Sequence, residues 1–216
     1  VTTYVPEFAI RNRFAGSRPI TLRALLAHHS GLPSDVLKGM WVDHPVSLAD
    51  YVTALREESL ASPPQTLYKY SNIDFSLLGK VIENVEHQEF SRAMQQGLLT
   101  PLGMADSSFR PTPEIGRRTA RGYRSGKEAT RLSLRDTPAG GMLSSVNDMS
   151  RWLRFIFADG GAQAAQLLAD GIGRGREQLP GARVGRVLGH PNLQGLGHLA
   201  QLAGTAIGFQ MLPAER

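Results

Sequence analysis

The strongest constraint on the fold is a run of apolar residues with helical spacing after position 74. The apolar positions, three and four residues apart, are Phe75, Leu78, Val81, Ile82 and Val85. This spacing places them on one face of an α-helix. A turn-forming run, Ser62-Pro63-Pro64-Gln65, precedes the helix, and Gly79 within it allows close packing or access to a site. The sequence therefore predicts a buried helix soon after residue 70.

Three polar side chains, those of Tyr70, Ser71 and Asn72, stand at the start of this helix. Helix starts hold polar groups at the edge of a cleft, and a hydrolase can use a phenol, a hydroxyl and an amide there. Taken alone, these three residues favour an ordinary structural interpretation. Ser71 or Asn72 can cap the helix, and Asp74 in the first turn can complement its dipole.

Further helices are predicted where a capping residue precedes apolar positions at helical spacing. Thr21 opens a helix that ends at Ser30-Gly31, and Ser47 with Asp50 opens a second. A later helix has the apolar positions Phe90, Met94 and Leu98 and is ended by Pro101.

The second half of the chain shows one more clear helix. Ser145 and Asp148 form its predicted capping box. Its predicted buried face is Val146, Met149, Trp152, Leu153, Ile156 and Phe157. The stretch from Ser107 to Thr137 predicts irregular surface connection with a short strand at Gly122-Tyr123.

Composition limits the classes of function. The 216 residues, 41% of them hydrophobic, suffice for one domain with a real core. No apolar run approaches the roughly 20 residues of a membrane span. The chain has no cysteine, which excludes disulfides, thiolate metal sites and a cysteine nucleophile. Its formal charge of +5 comes from scattered basic residues without interleaved aromatics, so we expect no nucleic-acid binding.

Common catalytic signatures are missing from the sequence. It contains no G-x-S-x-G, no H-E-x-x-H and no Walker loop, and its six histidines lack metal-ligand spacing. His28 and His29 are adjacent at a predicted helix end and point in different directions, which favours structural bonds to local carbonyls. We therefore expect no metal and no cofactor.

Four segments in sequence order carry a more specific signal. They are Leu25-Leu26-Ala27-His28-His29-Ser30-Gly31-Leu32, Tyr70-Ser71-Asn72, Pro101-Leu102-Gly103-Met104 and Ala139-Gly140-Gly141-Met142-Leu143-Ser144. Together they resemble the signatures of the serine β-lactamase-related family, which groups class C β-lactamases, D,D-peptidases and family VIII-type esterases. The resemblance covers residues 1–160, the central part of such a domain. Residues 161–216 are expected to be a Gly-rich, poorly matched portion of the same domain.

The resemblance implies a fold and two site residues. The fold is α/β, in the α+β sense: a β-lactamase/transpeptidase-like antiparallel sheet flanked by helices, with the helical part dominant in this chain. Carried over by motif, Tyr70 would be the catalytic proton shuttle and Asn72 the substrate-binding amide. The implied substrate is a β-lactam, an ester or a D-amino-acid peptide, hydrolysed through an acyl-enzyme.

One departure from the family pattern limits this implication. No serine of the chain is followed by lysine three residues later, so the Ser-x-x-Lys nucleophile motif is absent. Ser76 and Lys80 are one residue too far apart and lie beside the apolar stripe. The family's serine would precede Val1 and its closing strand would follow Arg216. We therefore expect Tyr70 to be an ordinary phenol and this chain alone to be inactive.

Two interpretations of the function stay open. In the first, the chain is part of a serine hydrolase. In the second, it is a non-catalytic relative that was kept for binding or assembly, or it is an inactive gene remnant. Family resemblance and the lack of cysteine slightly favour a periplasmic or secreted location.

Overall fold

The computed structural model describes residues 1–42, 46–129 and 133–157. Helices dominate this part of the chain, as expected. The α-helices are α1 (Leu22–Leu26), α2 (Leu48–Ala54), α3 (Asn72–Glu86), α4 (Phe90–Met94), α5 (Pro113–Arg118), α6 (Thr137–Gly140) and α7 (Val146–Phe157). A 3-10 turn follows α2 at Leu55–Glu57, and a π-helical stretch extends α4 at Gln95–Leu99. Within the three described ranges, none of the helices is long and apolar enough to cross a bilayer.

The strands are short and antiparallel. They are β1 (Trp41–Val42), β2 (Tyr123–Arg124), β3 (Lys127–Glu128) and β4 (Ser133–Leu134). β2 and β3 form a hairpin whose loop residues, Ser125 and Gly126, have φ of 52° and 75°. Positive φ at both loop positions matches the twist of paired strands. β1 pairs with β4, with Trp41 opposite Leu134, and this pair joins the segment after α1 to the segment before α6.

Side-chain caps start the helices where the sequence predicts them. Thr21 Oγ1 accepts from the Ala24 amide at 3.1 Å, and Ser47 Oγ accepts from the Asp50 amide at 3.1 Å. These caps satisfy amide groups that have no partner in the first turn of a helix. α1 is shorter than predicted, because the chain turns at His28, where φ is +55°.

Two hydrophobic clusters make up the core. The first includes Val5, Phe8, Leu25, Leu32, Tyr51, Val52, Leu55, Leu60, Ile73, Phe75, Leu77, Leu78, Val81 and Ala139. The second includes Leu48, Phe90, Leu99, Leu102, Met104, Phe109 and Trp152. α3 supplies five members of the first cluster, and its neighbours α1, α2, α4 and α6 all contact it. The predicted helix after residue 70 is therefore the central element of the described fold.

Gly79 confirms the expectation of close packing on α3. A methyl group added at Gly79 would lie 2.7 Å from Pro138 Cβ in α6. That separation is shorter than any ordinary carbon contact, so only a glycine allows α3 and α6 to meet in this way. α6 ends at Gly140, which with Gly141 and Met142 lines a cavity described below.

Two predictions about the second half of the chain were wrong. The stretch predicted to be irregular contains α5, which is capped by Thr112 and has Pro113 in its first turn. The short strand predicted there at Gly122-Tyr123 is present as β2, one residue further along, and pairs with β3. The predicted buried face of α7 is only half buried. Trp152 is 3% exposed, whereas Val146 and Phe157 are 85% and 82% exposed. The helix contacts the second cluster along the side that carries Trp152, and no described segment covers the other side.

The capping box predicted at the start of α7 forms only in part. Ser145 Oγ accepts from the Asp148 amide at 3.2 Å, as a cap does. The buried carboxylate of Asp148 turns away and accepts from the Asp106 amide and from Ser107 Oγ, both at 2.8 Å. The predictions for residues 161–216 lie outside the described residues.

Candidate active site

Ser71 is the N-cap of α3 and is fully buried. Its hydroxyl accepts from the Asp74 amide at 3.3 Å and donates to the Pro33 carbonyl at 2.7 Å. Of the two residues proposed as caps, Ser71 therefore has this role. Since Ser71 makes the structural bonds, the side chains of Tyr70 and Asn72 on either side of it are available to the cleft.

Tyr70 and Asn72 meet through their side chains. The Tyr70 hydroxyl donates to Asn72 Oδ1 at 3.0 Å. The Asn72 amide nitrogen donates to Asp35 Oδ1 at 2.7 Å, and its backbone amide donates to the Ser34 carbonyl at 2.8 Å. A chain of hydrogen bonds therefore runs from the phenol through the carboxamide to a carboxylate. This chain fixes the orientation of the Asn72 carboxamide, with its oxygen toward Tyr70.

Both residues face an open cavity of about 850 Å³. Tyr70 is 44% exposed, so its ring is accessible from solvent. The other lining residues include Met40, Trp41, Val46, Phe109, Arg110, Met142 and Leu143. The lining combines polar and charged groups with apolar side chains, which is the usual character of a small-molecule site.

A second depression, of about 650 Å³, lies elsewhere on the surface. Residues 13–18 and 63–66 line it. They include no carboxylate, imidazole or phenol, so this depression offers no acid–base group. Of these two cavities, the larger is the one lined by acid–base groups.

The surroundings of Tyr70 keep its phenol protonated. Partial burial raises the pKa of Tyr70 above its usual value of 10.0, and the nearby charge of Asp35 and the phenol of Tyr68 raise it further. Lys69, the nearest cation in sequence, donates from Nζ to Ser34 Oγ at 3.2 Å. We expected an ordinary phenol, and the structure shows one that is less acidic than that.

A buried arginine holds the loop that carries Asp35. Arg135 donates from its guanidinium to the Val36 and Lys38 carbonyls, both at 2.7 Å, and pairs with Asp136 at 2.8 Å. The same guanidinium lies over the Tyr51 ring, 4.0 Å from its centroid. These contacts fix the loop after α1 against the start of α6, and so fix the position of Asp35.

The two adjacent histidines have different environments. His29 Nδ1 contacts the Ala27 carbonyl at 2.7 Å, the local bond predicted for both residues. His28 instead is buried and lies 3.2 Å from the Asp74 carboxylate through Nδ1. The described ranges contain no group of three His, Asp or Glu side chains placed to hold a metal ion.

Ser76 does not have the environment of a nucleophile. It is fully buried in α3, and its hydroxyl donates to the Asn72 carbonyl at 3.2 Å. Lys80 pairs with Glu83 at 3.3 Å. Neither residue lines the cavity, as its place beside the apolar stripe indicated.

Comparison with known proteins identifies the family. A family model described as Beta-lactamase matches residues 1–210, which is nearly the whole chain. The chain belongs to the beta-lactamase family. Protein flp of Staphylococcus aureus (strain N315) is 32% identical over 161 residues, which are 72% of this chain and 32% of that protein.

More distant relatives share parts of the same domain. Unguisins hydrolase ungD' of Aspergillus campestris is 28% identical over 145 residues, 62% of this chain and 27% of that protein. The chain thus spans between about a quarter and a third of the length of these curated relatives. The crystal structure of a beta-lactamase/D-alanine carboxypeptidase from Yersinia pestis, complexed with citrate, matches with a TM-score of 0.58 and 22% identity, over 74% of this chain and 47% of that one. This likeness shows a β-lactamase/transpeptidase-like fold.

Sequence reasoning predicted Tyr70 and Asn72 as site residues but did not predict the residues that contact them. Asp35 lies 37 residues before Asn72, and Arg135 lies 97 residues after Lys38. No local spacing connects such pairs. A weak signal was the adjacent charged pair Arg135-Asp136 just before the apolar, Gly-rich segment at 139–144, because adjacent charges beside buried sequence are usually paired.

Proposed function

We propose that this chain is part of a serine hydrolase that acts through an acyl-enzyme on a β-lactam, an ester or a D-amino-acid peptide. Tyr70 is the proton shuttle and Asn72 the amide that holds the substrate. The observation that carries the proposal is the 3.0 Å bond between the Tyr70 hydroxyl and Asn72 Oδ1 on an accessible wall of the large cavity. The nucleophilic serine and its lysine belong to a Ser-x-x-Lys segment that this sequence does not contain.

In the proposed reaction, the serine hydroxyl attacks the substrate carbonyl and passes its proton to Tyr70, which returns it to the leaving group. A phenol half ionised at neutral pH requires a pKa lowered by about 3 units, or ~4 kcal/mol of favourable interaction. Burial and Asp35 act in the opposite direction here. The lysine of the Ser-x-x-Lys segment would supply the missing positive charge, so the chain alone is expected to be inactive.

The experiment compares covalent labelling of two proteins by a fluorescent penicillin and a fluorophosphonate. One is the 216-residue chain, and the other is the product of the longest reading frame that contains it. We expect an adduct only on the longer protein. Tyr70→Phe in the longer protein should slow labelling by roughly 10²–10⁴-fold, the usual contribution of general acid–base catalysis. Tyr123→Phe, an exposed phenol on β2, is the matched control and should label normally.

Two results would refute the proposal in different ways. A covalent adduct on the 216-residue chain would show that its own residues suffice for attack. A longest reading frame without any Ser-x-x-Lys would remove the nucleophile from the mechanism.

The alternative is a non-catalytic member of the family that binds ligands without reacting. Two features favour it: the phenol is held protonated, and the Asn72 amide nitrogen already donates to Asp35. This function predicts reversible binding of an unlabelled lactam or peptide to the longer protein, detectable by calorimetry, with no adduct to either probe.

A further inference from the structure

His28 bonds to the residues on both sides of Tyr70 and packs its ring against the Tyr70 ring. The Lys69 amide donates to the His28 carbonyl at 2.8 Å, and the Ser71 amide donates to His28 Nδ1 at 3.2 Å. The backbone on both sides of Tyr70 is therefore bonded to one residue. The imidazole also packs against the Tyr70 ring, with 4.7 Å between the ring centroids. These contacts restrain both the backbone and the ring of Tyr70.

The Asp74 carboxyl group contacts the His28 imidazole at Nδ1. Its Oδ2 lies 3.2 Å from His28 Nδ1, and the two residues are 0% and 6% exposed. A ring nitrogen and a carboxyl oxygen at this distance form a hydrogen bond through one proton, which either Nδ1 or Oδ2 carries. The Ser71 amide donates to the same Nδ1, which makes that nitrogen an acceptor.

Because Nδ1 accepts from the Ser71 amide, the geometry assigns the proton of this contact to Asp74, and burial acts in the same direction. Burial raises the pKa of the Asp74 carboxyl, and this effect exceeds the lowering by bonds to His28 and Ser30. The other groups that face the imidazole are the phenols of Tyr68 and Tyr70 and the ring of Phe75. Within the described ranges, neither member of the pair forms an ion pair with another side chain.

We propose that His28 and Asp74 form a proton-sharing buried pair that positions the Tyr70 phenol at the mouth of the cavity. His28 is a positioning residue, since it acts through Tyr70 and does not line the cavity itself. The role of His28 in catalysis rests on the proposed function, whereas its role in positioning the Tyr70 ring does not. Placement within fractions of an ångström matters for a proton shuttle, because misplacement of a reacting group by about 1 Å can cost about 10²-fold in rate.

The test uses the 216-residue chain and two readouts: hydrogen exchange of the Ser71 amide, and the pKa of Tyr70 from NMR of ring-labelled tyrosine, assigned with Tyr70→Phe. His28→Ala should speed exchange of the Ser71 amide by roughly tenfold, as expected for loss of one hydrogen bond. It should also move the pKa of Tyr70 back toward 10.0, since the largest cause of its rise is burial. His29→Ala, which removes the neighbouring imidazole, is the matched control and should change neither.

Two conservative variants separate positioning from folding. His28→Asn tolerates the left-handed backbone and places an acceptor near the Nδ1 position. It should keep the slow exchange but lose the raised pKa of Tyr70, because the ring is gone. Asp74→Asn donates to Nδ1 as the protonated carboxyl does, and should preserve both readouts.

Three results would overturn the inference. These are a folded His28→Ala chain with unchanged exchange and Tyr70 titration, a His28→Asn chain that keeps the raised pKa, and an Asp74→Asn chain that loses both readouts. None of these readouts depends on hydrolysis. If the 216-residue chain gives the expected readouts but the protein from the longer reading frame forms no adduct, the proposed function is refuted and the positioning role of His28 and Asp74 is retained.

Discussion

The contact between α3 and α6 can be tested at Gly79, where replacement by alanine adds one methyl group. The new carbon would lie 2.7 Å from Pro138 Cβ, closer still to Pro138 Cγ, and 3.4 Å from Leu48 Cδ1. The pyrrolidine ring is tied to the backbone and cannot rotate away. The helix must therefore move away from α6, or Pro138 must shift together with the cavity segment that follows it.

Two opposing effects set the size of the change in stability. Alanine in a helix interior is favoured over glycine by about 1 kcal/mol. Overpacking of a close contact costs about 1–3 kcal/mol, and a rigid neighbour on the backbone of another helix favours the upper end. We expect a net loss of about 2 kcal/mol, which for a chain of this size lowers Tm by about 4–8 °C.

Urea unfolding of the 216-residue chain, followed by tryptophan fluorescence, measures this loss. The matched control is Gly116→Ala in α5, where an added methyl group meets nothing within 4 Å. That variant gains helix propensity without a clash and should be unchanged or slightly more stable. If Gly79→Ala were as stable as Gly116→Ala, α3 and α6 could not be as close as described, and the argument from packing would fail.

Three further predictions concern charged groups around the site. Asp35→Asn removes a negative charge beside Tyr70, so the pKa of Tyr70 should fall, measured by phenolate absorbance with Tyr70→Phe as the blank; an unchanged or higher pKa would contradict the described contact. Arg135→Leu leaves the buried carboxylate of Asp136 unpaired, so the free energy of unfolding, measured by urea titration, should fall by about 3 kcal/mol. A loss below about 1 kcal/mol would show that the pair is exposed to solvent. Burial raises the pKa of Asp74 in the folded chain above its ordinary value of 3.8. The protonated carboxyl therefore contributes its full stabilisation below pH 3.8, and this stabilisation is lost as the pH rises through the folded-state pKa. Asp74→Asn should therefore flatten the fall in Tm above pH 4, and an unchanged slope would contradict the protonated form.

Local signals predicted the starts of the helices well, because a cap bonds to an amide two or three residues away. Thr21, Ser47 and Ser71 all cap as their sequence context indicates. The same kind of signal was present at α5, in Thr112 and Pro113, but this helix buries no residue. Without an apolar stripe, its helical spacing could not be recognised.

Predictions that depend on tertiary packing were less successful. The apolar positions of α7 repeat correctly for a helix, yet periodicity does not say how much of a stripe a neighbour covers, and Val146 is left exposed. The motif gave Tyr70 and Asn72. Their neighbours in the fold could not be predicted from local spacing: Asp35 lies 37 residues from Asn72, and His28 lies 43 residues from Ser71, to which it bonds.

Gly31 has a consequence for anyone who wishes to vary this site by directed evolution. Its φ is +79°, and a methyl group there would overlap the Ser62 carbonyl oxygen and lie 3.2 Å from the Pro64 nitrogen. The loop that carries His28 and Asp35 therefore crosses the proline turn with no space for any side chain. A randomised library over this loop should recover only glycine at position 31, while exposed neighbours such as Leu37 tolerate many replacements.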